Sequence, residues 1–298
     1  MTRVQILATD DVALEAAREA TVAGASALRA VLTGYLAAAG MHPGVLLGSV
    51  SLLVSSFGAV RAFDGRLRQP GRASKRPRGF VEGEAIPEAA YLAIPHGAQC
   101  LAVAASYDED RRNAPMYAAG IAHAKKQGAL QRAWVLSKLR DGGGPAWSDP
   151  ALHRPLLHLG GASEGGLVGI GDFAPTADVD FGAVAAPDDT QVRVVPWGIE
   201  PHPVTPGSEL HAVVAVDRRA TAALLCYEQC ITGIEVDELE LRAPRAARPV
   251  RRGLTRTPPG AALPMPAPLR LVLGEPGLVR RAEAAIDGVE LALTVPTR

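Results

Sequence analysis

From residue 30 to residue 60 this chain carries no Asp, Glu, Lys or Arg. A run without charge that long has to leave water, into a protein core or into a bilayer. Gly40, Pro43, Gly44, Gly48 and several serines interrupt it, and the apolar part between interruptions is too short to span a membrane. The run therefore predicts a buried helix followed by a buried strand. Ser26 supplies an N-cap for a helix over residues 28–39, Gly40 ends it, and residues 45–54 form the strand.

A core built around that run is well within reach of 298 residues, as one large domain or two modest ones. Apolar residues make up 48% and charged residues 21%, which is globular rather than disordered composition. Aromatics are only 4%, so Leu, Val, Ile and Ala must fill the interior. Lys plus Arg equals Asp plus Glu at 31 each, so net charge gives no case for nucleic acid or an anionic membrane. Three cysteines, Cys100, Cys226 and Cys230, cannot make a complete disulfide set, and residues 1–5 lack the pattern of an export signal. A cytoplasmic setting is the expectation.

The remaining pattern is mixed. Residues 4–8 read as a strand, and Asp10 or Asp11 caps a helix over 12–23. Residues 59–63 return from the first strand as a hairpin, and 90–94 read as a further strand. Helices follow over 98–107, 115–127, 130–139 and 150–159. After residue 191 strands dominate, over 191–195, 210–216, 221–227, 269–273 and 289–295, with one more helix over 276–286. Helices early and strands late, without regular β-α alternation, point to sheets covered by helices. Residues 242–268 are rich in Pro and Arg and read as an extended arm.

Several short segments, in consistent order, resemble landmarks of the γ-glutamyltranspeptidases. Gly24-Ala25-Ser26-Ala27-Leu28-Arg29-Ala30 is similar to the family's GGNAVDAA, Gly40-Met41-His42-Pro43 to GVVEP, and Ala62-Phe63-Asp64-Gly65-Arg66 to ALDGRE. Ala93-Ile94-Pro95-His96-Gly97 resembles the AVPG turn, and Gly165-Gly166-Leu167-Val168 with Asp172-Phe173 resembles GGLLTLEDL. The stretch from His211 to Asp217 resembles the strand that opens the family's small subunit, and Met265-Pro266 to Gly277 a later landmark. The resemblance implies an α+β, four-layer αββα sandwich of the N-terminal-nucleophile hydrolase kind. Residues 1–298 would form one domain, with 1–207 similar to the large subunit and 208–298 to the small one. Two helical stretches of the longer family would be shortened, one within 110–160 and the other at 196–207.

The family's chemistry needs a Thr, Ser or Cys freed by self-cleavage, whose hydroxyl or thiol attacks and whose new amine serves as base. The resemblance puts that threonine seven residues before Asp217, and Leu210 stands there. Leu263-Pro264 replace a serine pair, and Gly277 is the one glycine left of an oxyanion-hole pair, followed by Leu278. Arg66 matches the arginine that grips the substrate's α-carboxylate. Asp237 and Glu238 fall near the acidic cluster for the α-amine, and read without the resemblance they are solvated turn charges.

Two readings remain open. In the first, the chain is an unprocessed, non-catalytic binding or assembly subunit with an amino-acid carboxylate pocket at Arg66. It would assemble as a homo- or hetero-oligomer through the 242–268 arm. In the second, cleavage between Gly207 and Ser208 frees Ser208 as nucleophile of a γ-glutamyl or acyl amide hydrolase or transferase; otherwise Thr205-Pro206-Gly207-Ser208 is a turn. No cofactor is called for. The seven histidines lack zinc spacing, Cys226 and Cys230 read as buried thiols, and no glycine string has phosphate-loop placement. The arginines of residues 242–256 lack the interleaved aromatics of a nucleic-acid surface.

Overall fold

A computed structural model describes residues 4–56, 59–72, 80, 83–110, 112–174, 181–183, 192–195, 197, 205–217, 221–246, 249, 258–265, 269–274, 278–286 and 288–294. The chain opens with β1 (Gln5–Ala8), α1 (Asp11–Val22) and α2 (Ala27–Met41). Asp10 caps α1 by accepting from the Ala13 N–H at 2.7 Å, and Ser26 caps α2 by accepting from Arg29 N–H at 3.1 Å. The helix expected from the uncharged run is α2, buried from Ala27 to Gly40. Small residues let its neighbours come close. A Cβ on Gly34 would meet the Ala13 carbonyl of α1 at 2.7 Å.

The strand expected over 45–54 begins only at Val50. Residues 44–49 instead turn flat against a neighbouring strand, where a Cβ on Gly44 would fall 1.9 Å from the Cys230 carbonyl and one on Gly48 2.3 Å from that of Glu228. β2 (Val50–Ser56) then pairs with β3 (Ala59–Gly65) in the expected hairpin. Residues 90–94 are not a strand. Glu88–Tyr91 is a 3₁₀ turn, and Leu92 and Ile94 make isolated bridges to Arg245 and Arg68.

Four helices follow, α3 (Gly97–Ala105), α4 (Asn113–Lys126), α5 (Leu130–Gly142) and α6 (Pro150–Gly160), and then the strands β4 (Phe181–Ala183), β5 (Val192–Val194), β6 (Ser208–Val216) and β7 (Ala222–Cys230). The small pair β8 (Ile234–Val236) and β9 (Leu241–Ala243) precedes β10 (Leu269–Leu273), β11 (Val279–Ile286) and β12 (Val289–Thr294). The helix expected over 276–286 is thus the strand β11. It pairs on both sides, with β10 and β12, and its buried residues Val279, Ala282, Ala284 and Ile286 face the core.

The two main sheets are antiparallel, one ordered β1-β6-β7-β2-β3-β4 and the other β12-β11-β10-β5. Alternation along β6 and β7 divides the interior. Val213, Ala215, Leu225 and Tyr227 face a core shared with the helices. Leu210, Ala212, Val214, Leu224 and Cys226 face Leu269, Leu271, Ala282 and Ala284 of the other sheet. The result is the expected α+β fold of stacked antiparallel sheets with a helical layer. Among the described residues that layer lies on the six-stranded sheet, and the outer face of the four-stranded sheet carries Arg270, Arg281 and Glu283 in exposed ion pairs.

The described parts of the 242–268 arm lie along their own chain. Ala246 N–H donates to the Tyr91 carbonyl, Gly260 N–H to that of Gln69, and Leu263 N–H to that of Leu67.

Candidate functional site

The strand head singled out by sequence lies where β6 and β7 meet the 44–49 turn. Across this ladder Ser208 pairs with Cys230, Leu210 with Glu228, and Ala212 with Cys226. All six side chains take the face toward the second sheet, because positions two apart share a face. Leu210 is 7% exposed and belongs to the apolar inter-sheet core together with Met265 and Leu269. The residue expected at the nucleophile position is therefore on a central strand, in the sandwich interior, with only hydrocarbon to offer.

Opposite it lies a group that the sequence reading passed over. Glu228 is 2% exposed. Its Oε2 accepts from Ser49 N–H at 3.2 Å, while Oε1 is buried without a hydrogen bond. A sequence signal existed, since alternation from Cys226 puts a carboxylate at 228 on the same buried face. An unsatisfied buried acceptor costs about 1–3 kcal/mol, so the position is strained unless a donor arrives.

Ser208 begins β6 after Gly207, whose φ of 75° lies in the left-handed region. The Gly207 carbonyl accepts two backbone N–H groups, from Ile231 at 2.8 Å and Thr232 at 2.9 Å. Ser208 Oγ is enclosed, with the Cys230 thiol beside it across the ladder. Burial pushes the neighbouring Cys230 thiol up to about 11, with the Ser208 hydroxyl offsetting part of the rise, so Cys230 stays a neutral thiol near pH 7. Glu228 is the diagonal neighbour of Ser208, roughly 7–8 Å away in a ladder of this type.

Arg66 follows β3 on the same side of the sheet, but its fork is already engaged. Nε and Nη2 donate to Asp64 Oδ1 and Oδ2 at 2.9 Å each, and the guanidinium lies 5.2 Å from the Trp197 ring centre. Arg68 also reaches Asp64, at 3.3 Å. Burial opposes ionisation of Asp64, yet the two arginines outweigh it and hold its carboxyl below the usual range. Trp197 Nε1 donates to Ser51 Oγ at 3.2 Å, closing the group over β2.

Asp237 and Glu238 are elsewhere. They stand exposed on a 3₁₀ turn whose buried member, Leu239, packs into the helix-side core, and Glu238 lies 3.8 Å from His158. The structure does not bring them to Arg66. Gly277 lies outside the described residues. Leu263 packs against Leu67 and Ala93, an apolar contact where the resemblance would have a hydroxyl. Among the described residues no group of His, Cys, Asp and Glu is arranged to hold a metal ion, and no helix is long and apolar enough to cross a membrane. Cys100, Cys226 and Cys230 are all buried, and none of them is in a disulfide.

The fold itself has solved counterparts. The chain superposes on the cephalosporin acylase of Bacillus halodurans with a TM-score of 0.71 at 11% identity, over 96% of this chain and 78% of that one. The structure titled LmbA2991T421A gives a TM-score of 0.70 at 12% identity, over 96% and 79%. The γ-glutamyltranspeptidase of Helicobacter pylori is a remoter match, with a TM-score of 0.47 at 14% identity over 61% of this chain and 66% of that one. No protein-family model matches the sequence, and no curated protein matches it. The chain thus has an α+β fold of stacked antiparallel sheets and helices in the form found in cephalosporin acylase.

Proposed function

We propose that this chain is a γ-glutamyltranspeptidase-like protein whose threonine chemistry is gone, acting unprocessed as a binding or assembly subunit. The observation that carries this is Leu210, closed into the inter-sheet core at the position the resemblance gives to the nucleophile. Acyl transfer needs an attacking oxygen or sulfur, and a leucine packed against Met265 and Leu269 supplies none. Arg66 fits the same reading, because its carboxylate fork is spent on Asp64. A glutamate ligand would have to compete with that pair. Calorimetric titration of glutamate into wild type and Arg66→Ala is expected to give equal signals. A wild-type signal lost in the variant would restore the carboxylate pocket. Three cysteines outside any disulfide fit a reducing compartment, and the cytoplasm is the setting we propose. Assembly through residues 242–268 belongs to the same proposal.

One observation favours the second reading. The Gly207 carbonyl, held by two N–H donors beside an enclosed Ser208 hydroxyl, has the polarisation that attack on the Gly207–Ser208 peptide would use. The same contacts also serve as an ordinary strand end with a tight turn. Assay with γ-glutamyl-p-nitroanilide separates the two. The first reading expects no turnover from wild type or from Ser208→Ala. Turnover in wild type that Ser208→Ala abolishes would establish the enzyme.

A further inference from the structure

The other face of the six-stranded sheet holds a cavity of about 1050 Å³ that the chemistry of the β6 head does not use. It lies between the end of α1, the start of α2, the β2–β3 hairpin and α4. Its walls are largely apolar, including Leu28, Val54, Phe63 and Met116. This volume is at the upper end of what small-molecule sites enclose.

Arg29 stands in its wall, in the first turn of α2, the one charged residue among that helix's buried positions. A cation there faces the positive end of the helix dipole, so it needs compensation from elsewhere. What the protein supplies is incomplete. Asp108 lies 3.6 Å from Nε, beyond hydrogen-bond distance, and is itself engaged by the Ser26 hydroxyl and the Asp110 N–H. Nη1 donates to the Arg112 carbonyl at 2.6 Å. Nε and Nη2 are buried and have no hydrogen bond, on a side chain only 5% exposed. Two idle N–H groups of one guanidinium are the donor pair that a carboxylate completes in a bidentate contact.

We infer that this cavity binds an amphipathic monocarboxylate, an apolar body lying along α4 and β3 with its carboxylate meeting Nε and Nη2 of Arg29. A doubly charged phosphate fits less well, because Asp108, Glu109 and Asp110 line the same end. Thr33, whose hydroxyl donates to the Arg29 carbonyl at 2.8 Å, ties the helix turn that carries the guanidinium. The site is independent of any scission before Ser208, so it stands or falls apart from the reading of the β6 head.

The test uses decanoate as probe, decanol as its uncharged control, and calorimetry on the full chain. Decanoate binds, and decanol binds at least tenfold more weakly, the scale of a charge-assisted contact. Arg29→Met removes the difference between the two probes. Because that change can also disturb the α2 cap, Ala119→Trp provides a second arm. It fills the cavity from the half-buried face of α4 without touching the ion network, and weakens decanoate at least tenfold. Equal affinity for decanoate and decanol, no binding of either, or binding that Ala119→Trp leaves unchanged overturns the inference. So does a dimer in sedimentation that takes up no decanoate until it dissociates, since the cavity is then a subunit interface.

Discussion

The two ends of the six-stranded sheet treat buried charge differently. At the Arg66 end, next to the strand head, Asp64 is shared by two arginines and ringed by Trp197 and Ser51. At the Arg29 end, one guanidinium keeps two donors idle beside a large cavity. The closed end pairs its arginines with Asp64 inside the protein and has Leu210 at the position the resemblance gives to the nucleophile, while Glu228 beside it keeps one buried oxygen without a donor. The open end leaves a demand that a ligand can meet. On the reading proposed above, the fold would lose the reaction at one place and keep a capacity to bind at another, because packing of the sheets does not depend on either.

The sharpest break in that comparison is to collapse the open end alone. At Gly120 a Cβ would fall 2.1 Å from the Leu36 carbonyl of α2, so Gly120→Val forces α4 away from α2. The expected cost is about 3 kcal/mol in urea unfolding, with decanoate binding lost. A stability change under 1 kcal/mol would show that the helices do not meet there.

Next in size is the closed end. Asp64→Asn leaves Arg66 and Arg68 without their shared carboxylate and should cost about 2–3 kcal/mol. The sign with pH follows from the depressed folded value. The contribution is present above the unfolded carboxylate pKa of about 3.9 and is lost as pH falls through the lower folded one. Wild type and Asp64→Asn should therefore converge in stability in strong acid, measured by thermal melts between pH 2 and pH 7.

Glu228→Gln is expected to stabilise by about 1 kcal/mol, since an amide is less costly than a carboxylate with one idle buried oxygen. A loss of stability would mean that Glu228 has a donor in solution, and would point back to chemistry at Ser208. The smallest effect concerns His211, which stacks on Tyr227 with Asp10, Glu209 and His42 around it. Burial lowers its pKa against the pull of Asp10 and Glu209, so the unfolded chain takes up a proton first. Stability should decline by a few tenths to 1 kcal/mol as pH drops below about 6.5, and His211→Gln should flatten that slope.

Much of the scaffold was legible because local patterns agreed with tertiary demands. The uncharged run became α2 and β2, Asp10 and Ser26 cap as their positions suggest, and β6 and β7 follow their alternation. Where reading failed, context overrode propensity. Residues 279–286 hold three alanines and three charges, a composition that suits a helix better than a strand, yet pairing on both sides makes them β11. The apolar content of residues 44–49 suggests a strand and hides the close approach of Gly44 and Gly48 to β7. At the site, alternation over 210–216 puts Leu210 on a strand, as in β6, whereas nothing in the sequence tells that Asp64, two residues away, occupies the fork of Arg66. The partner of Arg29 could not be read at all, because Asp108 comes from the far end of α3 and only folding brings it to Ser26.

Whether the chain is ever cut decides the account most directly. Intact-mass measurement of protein aged at neutral pH should return a single species of 31.0 kDa, because Leu210 can open no peptide bond. Two polypeptides, the second beginning at Ser208, would contradict it.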